Sequence, residues 1–182
     1  MPNDVDIWMS ETAHAVLTRV GLKKGQTVID FGCGPGYTAI PAAVIVGETG
    51  QVYAIEKNRL DIFRLGRFIK TFGMENITPI NTHGDLDLPL DSGTIDCILA
   101  FDVLLPYYFS DAELARVIKE MHRVSKPAGS LIIYPSHVSI DDIRPLITGA
   151  GFEPGERFTL PILHNGTMER GEIFTFTADG NG

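Results

Sequence analysis

The stretch that decides the reading is Val28–Tyr37, VIDFGCGPGY. An apolar run stops at an acid, Asp30, and three glycines follow at alternate positions, Gly32, Gly34 and Gly36. Glycine loses more backbone entropy on folding than any other residue. Three in five positions therefore mark a turn whose backbone must bend, or come close to something, in ways a side chain would forbid. QTVIDFG, bounded by Gly25 and Gly32, reads as a short buried strand, and a helix is expected from about Tyr37 to Val46, with Pro41 near its first turn. A tight strand-to-helix turn aims backbone N–H groups and a helix N-terminus at a ligand. Taken alone this fingerprint fits nicotinamide and flavin cofactors as well, or a turn that is merely tight.

Outward from this loop, strand and helix patterns alternate. QVYAIE reads as a second strand, Leu60 to Phe72 as a crossover helix, and ITPIN as a third strand near an edge because of Pro79. TIDCILAFDV loses its polar alternation after Asp96, as a strand covered on both faces does. Ser110 and Glu113 make a capping box for a helix striped by Leu114, Val117, Ile118 and Met121. KPAGSLIIYP gives a turn and a fifth strand, and Ser139 caps a helix that contains Pro145. Upstream, Ser10 is expected to cap a helix striped by Ala13, Val16, Leu17 and Val20. Downstream, RFTLPIL and EIFTFTA read as a hairpin over 157–178 with its turn at HNGTMERG, and ADGNG as a frayed end. Repeated βα units ending in a hairpin predict an α/β fold with an open, mostly parallel sheet and an antiparallel edge.

Composition sets limits. The chain has 182 residues, 44% of them hydrophobic and 21% charged, which suits one domain with a proper core over residues 1–182. The net charge of -8 repels phosphate backbones and excludes nucleic acid as the expected partner. KNRLDIFRLGRFIK carries basic residues at helical spacing and reads as a solvated helix face. No apolar run is long enough for a bilayer, so no membrane partner is expected, and the acidic start does not resemble a signal peptide. Cys33 and Cys97 read as free thiols in a reducing, cytoplasmic setting. Neither has metal-ligand spacing, and no histidine pair stands at i, i+4 beside an acid. No metal is therefore expected, nor magnesium-assisted methylation of a catecholate.

The acids separate the possible ligands of the loop. Asp30, at the end of its strand, would oppose a pyrophosphate but not a ligand bearing an ammonium and a sulfonium, such as S-adenosylmethionine. Glu56 ends the second strand, where an acid accepts ribose hydroxyls; NAD sites use the same device. Asp85, in HGDLDLPLD, is placed to accept an adenine amino group, with the N–H of Leu86 facing a ring nitrogen.

Taken in order, VIDFGCGPG, VYAIEKN, GDLDLPLDSGTIDCILAFDVL and MHRVSKPAGSLII resemble the motifs of class I S-adenosylmethionine-dependent methyltransferases, of the small-molecule, type 11-like kind. The resemblance runs from about Gly25 to Pro135. It implies a Rossmann-like, doubly wound seven-stranded sheet of order 3-2-1-4-5-7-6 with the last strand antiparallel. It also implies a cofactor site drawn from Asp30, Gly32, Cys33, Gly34, Gly36, Glu56, Lys57, Asp85, Leu86 and Phe101. Two departures are mild: Phe31 replaces a smaller aliphatic, and Ala128 stands where a glycine is common. There is no asparagine-proline-proline-aromatic motif after the fourth strand, which argues against amino-group methylation of bases or glutamine.

The expected function is methyl transfer to a small-molecule acceptor by in-line displacement, with positioning and water exclusion as the main contributions. His137 is the first candidate for a base, Asp102 for orienting the acceptor or the methionine ammonium, and Tyr107, beside Tyr108, for walling the acceptor. His164, at the hairpin tip, should return to the same face and ranks lower; His83 only borders the adenine, and His14 and His122 lie on helices. Trp8 and Met9 are expected in a lid formed by residues 1–20. A non-catalytic binding subunit and an NAD-linked oxidoreductase remain the competing readings. The exposed edge strand and aromatic loops leave room for a homodimer.

Overall fold

The computed structural model describes residues 2–180. Met1, Asn181 and Gly182, and with the last two the end of the expected frayed tail, lie outside the described residues. The elements run α1 (Asp4–Ile7), a π-helical stretch (Trp8–Thr12), α2 (Ala13–Arg19), β1 (Thr27–Phe31), α3 (Ala39–Val46), β2 (Gln51–Glu56), α4 (Arg59–Phe72), β3 (Ile77–Asn81), β4 (Ile95–Phe101), α5 (Asp111–Val124), β5 (Ser125–Tyr134), α6 (Ile140–Gly149), β6 (Phe152–His164) and β7 (Thr167–Ala178). The seven strands form one sheet of order β3-β2-β1-β4-β5-β7-β6. β7 runs antiparallel to both β5 and β6, and the other pairings are parallel. This is the order and polarity that the motifs imply.

Alternation along the central strands makes the sheet two-faced. Val28, Val52, Cys97, Leu99 and Ile132 pack on one side with α2, α3 and α4. Ile29, Ile55, Ile98, Ala100, Leu131 and Ile133 pack on the other with α5 and α6. Both cysteines are buried, unpaired thiols. Burial pushes the Cys97 thiol up to about 12, so it stays protonated and behaves as a small apolar side chain. No helix of the described residues is long and apolar enough to cross a membrane.

Three expectations change. Helix formation begins at Asp4, capped by Asn3, and Ser10 lies inside the helical run, where its hydroxyl donates to the Asp6 carbonyl. Trp8 is not part of a lid: it is 1% exposed, and its indole N–H donates to the Tyr37 carbonyl at 2.8 Å. Met9 is half-buried against the same core. The C-terminal hairpin is longer than its patterns suggest, because the strands continue to His164 and from Thr167. Its turn is Asn165–Gly166, with φ of 50° and 79°, the two left-handed residues that a tight hairpin requires. That places His164 at the strand end, beside the carboxyl ends of β4 and β5.

Candidate active site

A cleft of about 640 Å³ opens at the carboxyl ends of β1, β2 and β4. Gly32, Gly34, Glu56, Lys57, Asp85, Leu86 and Asp102 stand on its wall, as do Tyr108, Phe109 and Asn165. Its charge is one-sided: Glu56, Asp61, Asp85, Asp102 and Glu113 face a single lysine, Lys57. Lys57 Nζ lies 4.8 Å from the centre of the Tyr108 ring, a cation–π contact that keeps it to one side.

The glycine loop is built by close approach. A Cβ on Gly32 would come within 2.5 Å of Val103 Cγ2, and one on Gly36 within 2.6 Å of Leu65 Cδ1. All three have positive φ, of 76°, 50° and 98°, but Gly34 differs in its surroundings: a Cβ there meets no atom within 4 Å. Its missing side chain leaves open cleft there. The Gly34 N–H donates to Glu56 Oε2 at 3.1 Å, and the Asn58 N–H to Glu56 Oε1 at 2.8 Å. The carboxylate that closes β2 is thus held in place by the loop it serves.

The loop that carries Asp85 is tied to α5. Arg123 donates to the carbonyls of Leu88 and Leu90, both at 3.0 Å, and Glu120 accepts the Leu88 N–H at 3.1 Å. Asp85 Oδ1 accepts the Asp87 N–H at 3.2 Å, so it also shapes its own turn. Glu120 and Arg123 lie on α5 and are not among the residues that the motifs point to.

Four expected cofactor residues lie off the cleft wall. Asp30 is 2% exposed. It accepts a backbone hydrogen bond from Ala39, while its Oδ2 has no partner. Burial, aided by the nearby Glu56 charge, pushes its carboxyl up to about 7. Cys33 turns its thiol into the core, and its N–H donates to the Ile55 carbonyl at 3.0 Å. Gly36 packs under α4, as described above. Phe101 lies edge-on against Tyr134, at 6.3 Å between ring centres. Alternation along their strands turns Asp30 and Phe101 toward the layer that holds α2, α3 and α4.

Beyond β4 and β5 the candidates for chemistry do meet. Asp102 follows β4 with a left-handed φ of 54°, and its N–H donates to the Tyr134 carbonyl at 2.8 Å. His137 Nε2 lies 3.8 Å from Asp102 Oδ2. Tyr107 is exposed at the rim, 4.7 Å from the Tyr108 ring and 6.3 Å from the His137 ring. Desolvation, then the neighbouring Asp102 charge, raises the Tyr107 phenol above its ordinary range. His164 comes closer to Asp102 than His137 does, with Nε2 3.1 Å from Oδ2. Ser136, in the loop after β5, and Glu169, near the start of β7, complete the group, though neither is among the candidates that the sequence offers. The Asn165–Gly166 dipeptide was the signal that placed His164 at a strand end. His83 lies outside this group, and His122 pairs with Asp179 instead, at 3.0 Å.

Residues 28–129 match the model of the family described as methyltransferase domain. The chain belongs to this family. It is a class I, S-adenosylmethionine-dependent methyltransferase domain. It is 31% identical over 121 residues to a demethylmenaquinone methyltransferase of Geobacillus kaustophilus, covering 64% of this chain and 48% of that protein. A demethylmenaquinone methyltransferase of Staphylococcus aureus is 32% identical over 122 residues, covering 64% and 46%. The chain thus spans about half the length of the curated relatives it matches. Among solved structures, an S-adenosylmethionine-dependent methyltransferase from Aquifex aeolicus superposes with a TM-score of 0.75 at 23% identity, over 97% of this chain and 93% of that one. A structure from echinomycin biosynthesis gives 0.76 at 17% identity, over 100% and 87%. At these identities the likeness is one of fold.

The residues of the methyltransferase domain fit the family's cofactor. The bare Gly34 surface, the held Glu56 carboxylate and the acid-rich wall suit a cationic nucleoside and oppose a pyrophosphate.

Proposed function

We propose that the chain transfers a methyl group from S-adenosylmethionine to a small-molecule acceptor that enters over the rim formed by Asp102, Tyr107, Tyr108 and His137. The observation that carries this reading is the cleft wall, with five carboxylates against one lysine around an open glycine. S-adenosylmethionine supplies a methyl carbon on a positively charged sulfur. Glu56 binds the ribose hydroxyls, Asp85 and Leu86 meet the adenine, and Gly34 lets the main chain approach closely. The acids favour the cation over the product, whose sulfur is neutral, which eases product release.

The acceptor side is aromatic. Tyr107 and Tyr108 are 63% and 47% exposed, and Tyr108 stands on the cleft wall. Such a rim suits a flat or apolar acceptor. The relatives named as demethylmenaquinone methyltransferases favour a ring compound of that general kind. The chain acts as a cytoplasmic enzyme in this reading, without nucleic acid.

The test is calorimetry with S-adenosylmethionine, followed by incubation with methyl-labelled cofactor and a small-molecule extract. Binding, and label in a low-mass product, are expected. Absence of binding overturns the cofactor assignment. Binding without any transfer, across extracts that support related enzymes, favours a regulatory subunit.

A further inference from the structure

Four polar groups crowd one imidazole nitrogen at the edge of the cleft. His164 Nε2 lies 3.0 Å from His137 Nε2, 3.1 Å from Asp102 Oδ2, 3.0 Å from Asn165 Nδ2 and 3.4 Å from Ser136 Oγ. A ring nitrogen has one in-plane position, either a lone pair or an N–H. It can serve one of these neighbours and must fail the rest. A cation removes the conflict, because it accepts a lone pair from both nitrogens and from the carboxylate at once.

The geometry suits such an ion. Asp102 Oδ2, His137 Nε2 and His164 Nε2 form a triangle with sides of 3.0, 3.1 and 3.8 Å. The point equidistant from its corners is about 2 Å from each, the length of a zinc–nitrogen or zinc–oxygen bond. Two imidazoles with one carboxylate select first-row transition metals over magnesium or calcium, which prefer oxygen throughout. Three protein ligands leave a fourth position open, as in sites that bind a substrate rather than a structural ion. Asp102 also stands on the cleft wall, so the group borders the cleft.

The surroundings orient the ligands. His164 Nδ1 faces Glu169 Oε1 at 3.3 Å, and the Tyr134 hydroxyl donates to the same oxygen at 2.5 Å. An N–H at Nδ1 held by Glu169 fixes the tautomer that turns the Nε2 lone pair inward, the arrangement of carboxylate, histidine and metal. The Ser136 hydroxyl donates to Asp102 Oδ1, which leaves Oδ2 for the ion. Asp102 is held in a left-handed conformation that delivers its carboxylate to this point.

We propose that Asp102, His137 and His164 bind one divalent first-row transition-metal ion beside the cleft, with Glu169 and Ser136 as positioning residues. The site joins the ends of β4, β5 and β6, and its ligands lie tens of residues apart in the chain. A nitrogen that ligates an ion is not available to take a proton, so His137 becomes a ligand rather than a base. This inference stands apart from methyl transfer, since it needs neither cofactor nor acceptor.

The test uses untagged, chelator-treated chain titrated with Co²⁺ alone, followed by the visible absorption of a four- or five-coordinate ion. One Co²⁺ per chain is expected, displaced by Zn²⁺ and indifferent to excess Mg²⁺. His137→Gln and His164→Gln should each weaken binding by more than the roughly 10–100-fold that loss of an outer partner brings. His14→Gln, on exposed α2 surface, should leave it unchanged. The His137 side chain is 42% exposed, so its variant stays informative if the His164 variant fails to fold. No saturable Co²⁺ binding by folded chain, or binding unaltered in His137→Gln, overturns the proposal. Calorimetry with S-adenosylmethionine on the same sample separates the two readings: cofactor binding without metal sinks this one alone, and metal without cofactor sinks the other.

Discussion

Asp30→Asn offers the sharpest test of how the cofactor loop is built. The Asp30 carboxyl is buried, one of its oxygens has no partner, and its folded value is about 7 against an ordinary 3.8. In the unfolded chain the group ionises near 3.8. Between that value and about 7 the folded chain keeps a proton that the unfolded chain has released. Folding stability from this group is therefore fully present below 3.8 and falls as pH rises, levelling off above about 7. The slope approaches about 1.4 kcal/mol per pH unit, and the whole loss is about 4 kcal/mol. Asparagine cannot ionise, so the variant escapes that loss. Its amide N–H₂, buried where Oδ2 now stands alone, costs about 1–3 kcal/mol at every pH. The variant's stability relative to the parent should thus improve with pH by about 2 kcal/mol between pH 5.5 and 8.5, whatever the constant offset. Urea denaturation of both chains across that range measures the difference directly. A difference that does not change with pH would refute the claim that Asp30 is held protonated by burial.

Four further outcomes follow from the geometry. Gly34→Val should fill the open cleft floor and weaken S-adenosylmethionine binding by up to about 100-fold in calorimetry, with about 1–2 kcal/mol of backbone strain in urea melts. Gly36→Ala should act on stability instead, losing about 1–2 kcal/mol, because a Cβ is strained at its φ of 98° and must displace the side-chain ends of Leu65 and Ile40; unchanged denaturation would refute that strain. Glu56→Gln should weaken the cofactor about 10- to 100-fold, through loss of a charged acceptor. Ala128→Gly should stabilise the fold by about 1 kcal/mol, since Ala128 sits at a φ of 61° that glycine adopts freely.

Sequence alone determined the parts of this protein that depend on neighbours in the chain. The strand-turn-helix at Val28–Val46, the capping box at Ser110 and Glu113, and the order of βα units were all legible, because they rest on side-chain periodicity and local hydrogen bonds. So were Glu56 and Asp85 on the cleft wall: Asp85 lies in the loop beyond β3, and the N–H groups of Gly34 and Asn58 hold the Glu56 carboxylate. Asp30 and Phe101 show the limit: both sit at strand ends, and alternation sends their side chains into the layers beside the sheet. Ser10 failed as a cap because Asn3, further upstream, offers the exposed N-terminal amides a better acceptor.

The sequence puts Asp102, His137 and His164 at one end of the sheet; what only the tertiary structure decided is that their ligand atoms come within 3.8 Å of one another. Parallel strands β4 and β5 must each be followed by a crossover, and β6 reaches the same edge from the far side of the sheet through an antiparallel partner. Their ends converge in space while the chain between them carries α5, α6 and a long strand. Spacing rules for metal or catalytic groups assume ligands on one helix or one turn, so they pass over such a site. Sheet order, fixed by burial of both faces, is the physical cause that brings the three side chains together.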